Sequence, residues 1–541
     1  MKQTLNVNTQ SKFLTDNLQR NLDLIKKLLP SEDILTSLIK TADGVSATLI
    51  YADGMVNKQL LGELVEKPLT QLSLFKAKNE NSPSQTRDNA EIEHESSTQV
   101  RGNTEKERKN STQVEGNKQN EEISKQVDEI KEVIRAKILF PESKELTEIE
   151  PILSEILDGN TALIIDKIPV CWIVGAKLLP IRGITEPPSD VAIKGPREGF
   201  IEDIKTNMAL VRKRLKTPLL QFEQLKIGRR SDTAVIVCSL NGISNAEVKA
   251  KLLEKLQNID VDCIVDSSYI AALIAPKKHS VFKQVGATEK PDVFTAKIAE
   301  GRVGILVDGS PIALTLPYLL TEDLQSSEDY FISPTMATIF RIIRAVALFI
   351  SLSLPAFYVT AQLFKMQLLP IGLMLTIAGS IQSIPLSPSL EIFVVLLLLE
   401  ILKEASIRMP KYVGMSLSVV GALVLGEAAV SAGFLSTPAI IVVAISGICL
   451  YTVPNFVETG SILRWVFLLV AGSIGVFGIV LFAAFLLYYL VDENSFGVPL
   501  LAPFAPLAPQ NLRDTVVKYG FEELTERPTL FGSKNKTRLR F

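Results

Sequence analysis

AVALFISLSLPAFYVTAQLF, residues 345–364, carries no charge over 20 consecutive positions. A helix of that length, at about 1.5 Å of rise per residue, covers the ~30 Å hydrocarbon core of a bilayer, so the stretch reads as a transmembrane helix. Arg341 and Arg344 stand immediately before it. Positive residues at the entry to a first span place the preceding chain on the cytoplasmic side. The N-terminus, MKQTLNVNTQSKFLTDNLQR, has neither the apolar core nor the small-residue cleavage site of a signal peptide. The first half is therefore expected to stay where it is made.

Downstream, further spans are expected at 387–405, 413–434, 439–456 and 465–491, the last with Trp465 at one end and Tyr488 and Tyr489 at the other. The shorter stretch 368–384 is interrupted by Pro370, Gly372 and Gly379. It reads as re-entrant or packed inside the protein. The count is five spans plus this doubtful segment. Five crossings put the tail outside, yet residues 512–541 hold seven Lys/Arg against four acids, a bias that favours the inside. A sixth crossing would reconcile the two.

Upstream, strands and helices alternate. Helices are expected over residues 12–29 and again from Ser31, and a strand in VSATLIYADG (45–54). Further helices are expected near 127–139 and 143–157, and strands in TALIIDKIPV (161–170) and CWIVGAK (171–177). Residues 76–126 are almost all Asn, Gln, Glu, Lys, Ser and Thr, a composition unable to offset the entropy of ordering, and read as a disordered insertion. After the proline-containing stretch 187–196 come a long basic helix, strands in DTAVIVCSL (232–240) and VDCIVDSS (261–268), a helix over 245–256 and the hairpin VGILVDGSPIALTLP (303–317). The fold class is thus mixed, a cytosolic α/β part in two small subdomains followed by an all-α polytopic membrane domain. Domain limits fall at 1–190, 191–335, 336–492 and 493–541. The last segment is Pro-rich at positions 499, 503, 506 and 509 and ends in the basic tail.

Several function classes are disfavoured. With 57 basic against 59 acidic residues there is no basic excess of the kind nucleic-acid binding needs. The two histidines, His94 and His279, and the cysteines Cys171, Cys238, Cys263 and Cys449 lie far apart, which argues against zinc sites and disulfide scaffolds. VDGSP is not a nucleophile elbow and no phosphate-binding glycine motif occurs, so no enzyme and no cofactor are expected.

Chemistry is instead expected where charge enters the apolar runs. Glu391, Glu400, Glu404 and Arg408 are the candidate buried charges, the last three recurring every four residues on one helix face. For Glu404 and Arg408 an interhelical pair near the cytoplasmic interface, where Lys403, Arg408 and Lys411 cluster, is the stronger reading. The run 413–434 combines small residues at Gly414, Ser418, Ala422 and Gly426 with Ser416, Val420, Gly421, Leu423 and Glu427. These are candidate pore or gate residues, with tight helix packing as the competing reading. In the basic helix, Arg197, Glu198, Arg212 and Arg214 are candidate subunit contacts, with a salt-bridged structural helix equally open.

GPREGFIEDIKTNMALVRKRL (195–215), VDGSPIALTLP (307–317), EDYF (328–331), EIFVVLLLLEILKEASIRMP (391–410), AAVSAGFLSTPAIIVVAISGI (428–448) and SFGVPLLAPFAPL (495–507) follow one another in order. On these motifs the chain resembles the A subunits of GerA-type spore germination receptors. The resemblance implies a multi-pass protein of the inner spore membrane, working with a transporter-like, nutrient-binding B subunit and a lipoprotein C subunit. It also implies assembly of A subunits into an ion-conducting homo-oligomer. A paralogous branch similar to stage V sporulation protein AF shares most of the motifs and is the alternative within the family. Outside it the alternatives are a non-conducting scaffold and a secondary transporter.

Overall fold

The computed structural model describes residues 12–72, 143–177 and 194–538, apart from 366, 368–369, 383, 409–418, 422 and 534. The expected insertion at 76–126 and the helix expected near 127–139 lie outside the described residues. Two compact units emerge. The first joins the described residues up to 177 with Phe200–Gln224 and Ile236–Cys238, and the second holds the rest.

The first unit is built on a sheet of β1 (Ile34–Lys40), β2 (Ser46–Ala52), β3 (Ser143–Leu146), β4 (Thr161–Ile165) and β5 (Cys171–Val174), in the order β1-β2-β4-β5-β3 with every pair antiparallel. Alternate residues of a strand face opposite sides, and both sides are covered. Leu49, Leu163, Trp172 and Val174 pack with Leu61, Val65 and Leu69 of the helical stretch 58–70. Ile50, Ala162, Ile164 and Ile173 pack against α1 (Leu18–Leu28) and α2 (Ile149–Leu157). The chain after Pro30, expected to be helical, is strand β1, because Ile34–Lys40 pairs residue for residue with β2. Residues 143–146, expected in a helix, likewise extend to pair with the outer edge of β5.

The expected long basic helix is shorter in the structure. Its helical part, α3, is Ile204–Arg214, started by Asp203, whose side chain accepts from Thr206 N, and Glu198 and Glu202 precede it. Three basic residues occupy its last turn, where they complement the helix dipole.

A second five-stranded sheet holds β6 (Leu220–Ile227), β7 (Thr233–Leu240), β8 (Gly286–Thr288), β9 (Val303–Val307) and β10 (Ala313–Leu316), in the order β6-β7-β9-β10-β8. The expected hairpin is β9 and β10, paired antiparallel. Around it lie α4 (Ala246–Gln257), α5 (Ser267–Ile274) and α6 (Pro291–Ala299). VDCIVDSS is not a strand. Its start is tied up by Arg229 and Arg230, whose N–H groups donate to the carbonyls of Val261 and Asp262, and Asp266 then caps α5 by accepting from Ser268 N.

The longer helices that follow among the described residues are α7 (Pro334–Phe364), α8 (Ile371–Ile381), α9 (Pro388–Arg408), α10 (Thr437–Tyr451), α11 (Val457–Ile474) and α12 (Val476–Asp492). Among the described residues, only Pro334–Phe364 and Pro454–Ile474 are long and apolar enough to cross a membrane by length and composition alone. The stretch 465–491, expected to be one span, is two helices broken at Gly475. Its φ of +75° suits glycine, and a Cβ there would lie 3.0 Å from the Phe364 ring.

Contacts within this unit fix the two ends of the bundle. At the end carrying Arg341 and Arg344, Thr459 of α11 donates to Val281 O at 2.8 Å, Lys277 pairs with Asp492 at 2.8 Å, and Gln284 Nε2 donates to Glu493 at 3.1 Å. At the opposite end Phe364 lies against Gly475, Ser389 against Gly472, and Ser436 N donates to Glu391 at 2.5 Å.

Candidate functional site

Helix α9 carries the charged residues singled out from the sequence, and four helices close around one of them. Glu400 Oε1 accepts from Ser461 Oγ at 2.7 Å and from Arg464 Nη2 at 3.0 Å, while Lys403 pairs with the other oxygen. Arg464 Nη1 donates to Ser446 Oγ at 3.2 Å, and that hydroxyl donates to Ser351 O at 2.7 Å. The network thus links α9, α10 and α11 through side chains, and reaches α7 through the main-chain carbonyl of Ser351. Arg464 is 1 % exposed. Its charge is tolerable there because Glu400 and the Ser446 hydroxyl accept from its two Nη groups.

Glu391 is fully buried near the opposite end. It accepts from Ser436 N, the cap of α10, so a carboxylate meets the positive end of a helix. Its second oxygen has no hydrogen-bond partner among the described residues. Glu404 and Arg408 form an i,i+4 pair, Arg408 Nε donating at 2.8 Å, with both side chains more than half exposed.

Of the candidate pore residues, Gly414, Ser416, Ser418 and Ala422 lie outside the described residues. Gly421 is buried against α9, where a Cβ would come within 3.1 Å of the Leu402 side chain. Val420 and Leu423 are 53 % and 59 % exposed, and a Cβ on Gly426 would meet nothing. Glu427 is exposed on the same run, inside the π-helical turn Val424–Ala428, with no hydrogen-bond or ion-pair partner among the described residues. Turns of this kind lie disproportionately at functional positions.

The structure removes one candidate subunit contact. Arg212 is 1 % exposed, its Nε 2.6 Å from Asp33 Oδ2 and its guanidinium over the Phe222 ring, so it holds its own unit together and is not available to another chain. Arg214 donates to Leu210 O at 3.4 Å and is partly exposed, Arg197 is exposed, and Glu198 is half-buried.

Sequence reasoning missed two groups. Arg464 directly precedes an uncharged run and reads as an interfacial flank; its place one turn after Ser461 was the available signal. The other group is a junction built on EDYF. Asp329, fully buried, accepts from Arg341 Nε at 3.0 Å and from Arg344 at 2.8 and 2.9 Å. Arg341 also donates to Asp514 O at 2.7 Å and Oδ1 at 3.1 Å, and Tyr330 donates to Asp514 at 3.0 Å. One buried arginine therefore fastens the turn before the first long helix to the tail that follows the last one.

Close by, burial pushes the Asp323 carboxyl up to about 6, against the lowering pull of the Tyr318 hydroxyl, which donates to it at 2.5 Å, and of Lys283. The folded state then holds this proton up to about pH 6, while the unfolded chain releases it near 3.8, so this group makes stability fall as pH rises between those values. Asp323→Asn is expected to gain on the wild type across that window by on the order of 2 kcal/mol. Unfolding midpoints of both proteins from about pH 4 to about pH 7 check this, and a pH-independent difference between them would sink it.

Among the described residues no group of three or more His, Cys, Asp or Glu is placed to hold a metal ion. Comparison with known proteins gives a consistent picture. The family model for the Bacillus/Clostridium GerA spore germination protein matches residues 22–530. The chain is 34% identical over 415 residues to the uncharacterized membrane protein YfkQ of Bacillus subtilis, covering 76% of this chain and 81% of that one. It is 34% identical over 391 residues to spore germination protein KA of Bacillus subtilis, covering 72% of each. A solved structure, the N-terminal domain of the A subunit of the Bacillus megaterium spore germinant receptor GerK3, matches at 26% identity and a TM-score of 0.36. That match covers 57% of this chain and 98% of the other.

Proposed function

The chain belongs to the GerA spore germination family, and from that premise we propose that it is an A-type membrane subunit of a germinant receptor whose copies assemble into a gated ion pore. Nutrient sensing, by a transporter-like B subunit with a lipoprotein C subunit, would open the pore and release ions across the inner spore membrane. The observation that carries the reading is Glu427. It is an exposed carboxylate with no partner among the described residues, and Val419, Val420, Leu423 and Val424 beside it on the helical run are exposed and apolar. A carboxylate turned to lipid is costly, so the favoured surroundings are water in a lumen shared with other copies. The contact of Gly421 with Leu402 supports the scaffold reading instead, because it describes a packed helix.

The reading includes six crossings, formed by α7, α9, the run 413–434, α10, α11 and α12, with α8 not crossing. Two features support an even count. The break at Gly475 turns one expected span into two, and the residues flanking α7 and α12 bond to the same end of the bundle. The soluble part and the tail then share the cytoplasmic side.

A scan of single cysteines along 414–433, at 385 and at 505 tests both statements with a small charged thiol reagent. A gated pore gives periodic labelling along 414–433 that changes with germinant. Six crossings give labelling of 385 from outside and of 505 only after permeabilisation. Uniform protection of 414–433 would end the pore assignment for this helix, and outside labelling of 505 would end the even count.

A further inference from the structure

A cavity of about 520 Å³ lies beside the Asp329 junction, walled by α6, the turns over 320–331 and the 452–455 connection between α10 and α11. Lys290 lines it and is 2 % exposed, and its ammonium donates to Ser327 Oγ at 2.9 Å. No carboxylate pairs with that ammonium among the described residues. A buried ammonium whose partner is a neutral hydroxyl is expensive unless an anion joins it. The acids of the same wall do not supply one. Glu300 lies beside Arg302 at 3.7 Å, Glu322 is taken by Arg302 and by Lys297, the latter at 2.7 Å, and Asp323 is held by Tyr318. Asp292, in the first turn of α6, instead presents a buried oxygen with no partner among the described residues, an acceptor waiting for a donor.

From this pairing we propose that the cavity binds the phosphate of a small hydroxylated ester, its anionic oxygens on Lys290 and a hydroxyl on Asp292. The volume suits a metabolite-sized ligand and exceeds what a bare ion fills. Amide groups at the start of α6 add positive potential on the same wall. The same chemistry is present in a free phosphate ester and in the headgroup of an anionic lipid.

The test uses the full chain in neutral detergent, with thermal unfolding followed against glycerol 3-phosphate and inorganic phosphate at matched chloride ionic strength. The expected result is a saturable rise in midpoint for the wild type. Lys290→Met, which keeps the volume and removes the charge, should weaken the apparent affinity roughly tenfold or more. Ala296→Trp, at an exposed position of the cavity wall, leaves the Lys290 bond in place and should weaken it as well. Reconstitution in phosphatidylcholine with and without phosphatidylglycerol separates the sources: a rise with phosphatidylglycerol but not with glycerol 3-phosphate assigns the site to a lipid headgroup. No saturable rise from any of these phosphates, or equal affinity in both variants and the wild type, overturns the proposal.

Discussion

Glu400→Leu is expected to destabilise the helical bundle by about 3–5 kcal/mol, because it leaves Arg464 buried without its anion. Arg464→Leu should cost less. Glu400, 19% exposed, would keep Lys403 and the Ser461 hydroxyl, whereas Arg464 is 1% exposed and has no second carboxylate within reach among the described residues. Replacing both residues by Leu should recover most of the loss, since Lys403 is partly exposed and its flexible stem can carry the ammonium to water. Thermal unfolding of the four proteins in detergent forms a double-mutant cycle. A Glu400→Leu variant within about 1 kcal/mol of the wild type would show that these charges do not hold α7, α9, α10 and α11 together.

Asp329→Ala is expected to be about as damaging, roughly 3–5 kcal/mol, for a different reason. This one carboxylate neutralises Arg341 and Arg344 at the entry to α7 and also accepts from Ser326 N at 3.1 Å. Its removal leaves Arg341 with the half-buried Asp514, so the tail should loosen along with the EDYF turn. Asp329→Asn separates charge from cap: it can still accept from Ser326 N and should recover only a minor part of the loss. Limited proteolysis near 509–518 together with thermal unfolding reads both effects. A tail equally protected in Asp329→Ala and the wild type would show that the junction does not fasten it.

Much of the architecture was legible from residue pattern. Six of the seven strands read from sequence, β2, β4, β5, β7, β9 and β10, are the interior strands of the two sheets. β4, β5, β9 and β10 are buried at every position, and such strands are near-continuous apolar runs. The four that were missed, β1, β3, β6 and β8, are the edges. β1 buries only Ile39 outright, and so shows the weak alternation that also fits a helix or a loop. The false strand at 261–268 failed for the complementary reason, as its apolar pattern found no neighbouring strand.

The candidate site divides in the same way. That charge enters the apolar half at Glu391, Glu400 and Glu427 was visible in the sequence, because a lone carboxylate in a hydrophobic run needs no partner to be noticed. Which of them is paired was not visible. Glu400 meets Arg464 across 64 positions of chain and Arg341 meets Asp514 across 173, and no local spacing encodes such meetings. Arg212 shows the cost of reading charge without burial: in sequence it belongs to a basic helix end, and in the fold it is sealed against Asp33. By itself the sequence determined where apolar surface lies, hence the α/β part, the helical part and the interior strands, because burial is driven by composition and local period. Only the tertiary structure decided the sheet edges, the turn at Gly475 and the partners of the buried charges, since each depends on what another segment places beside it.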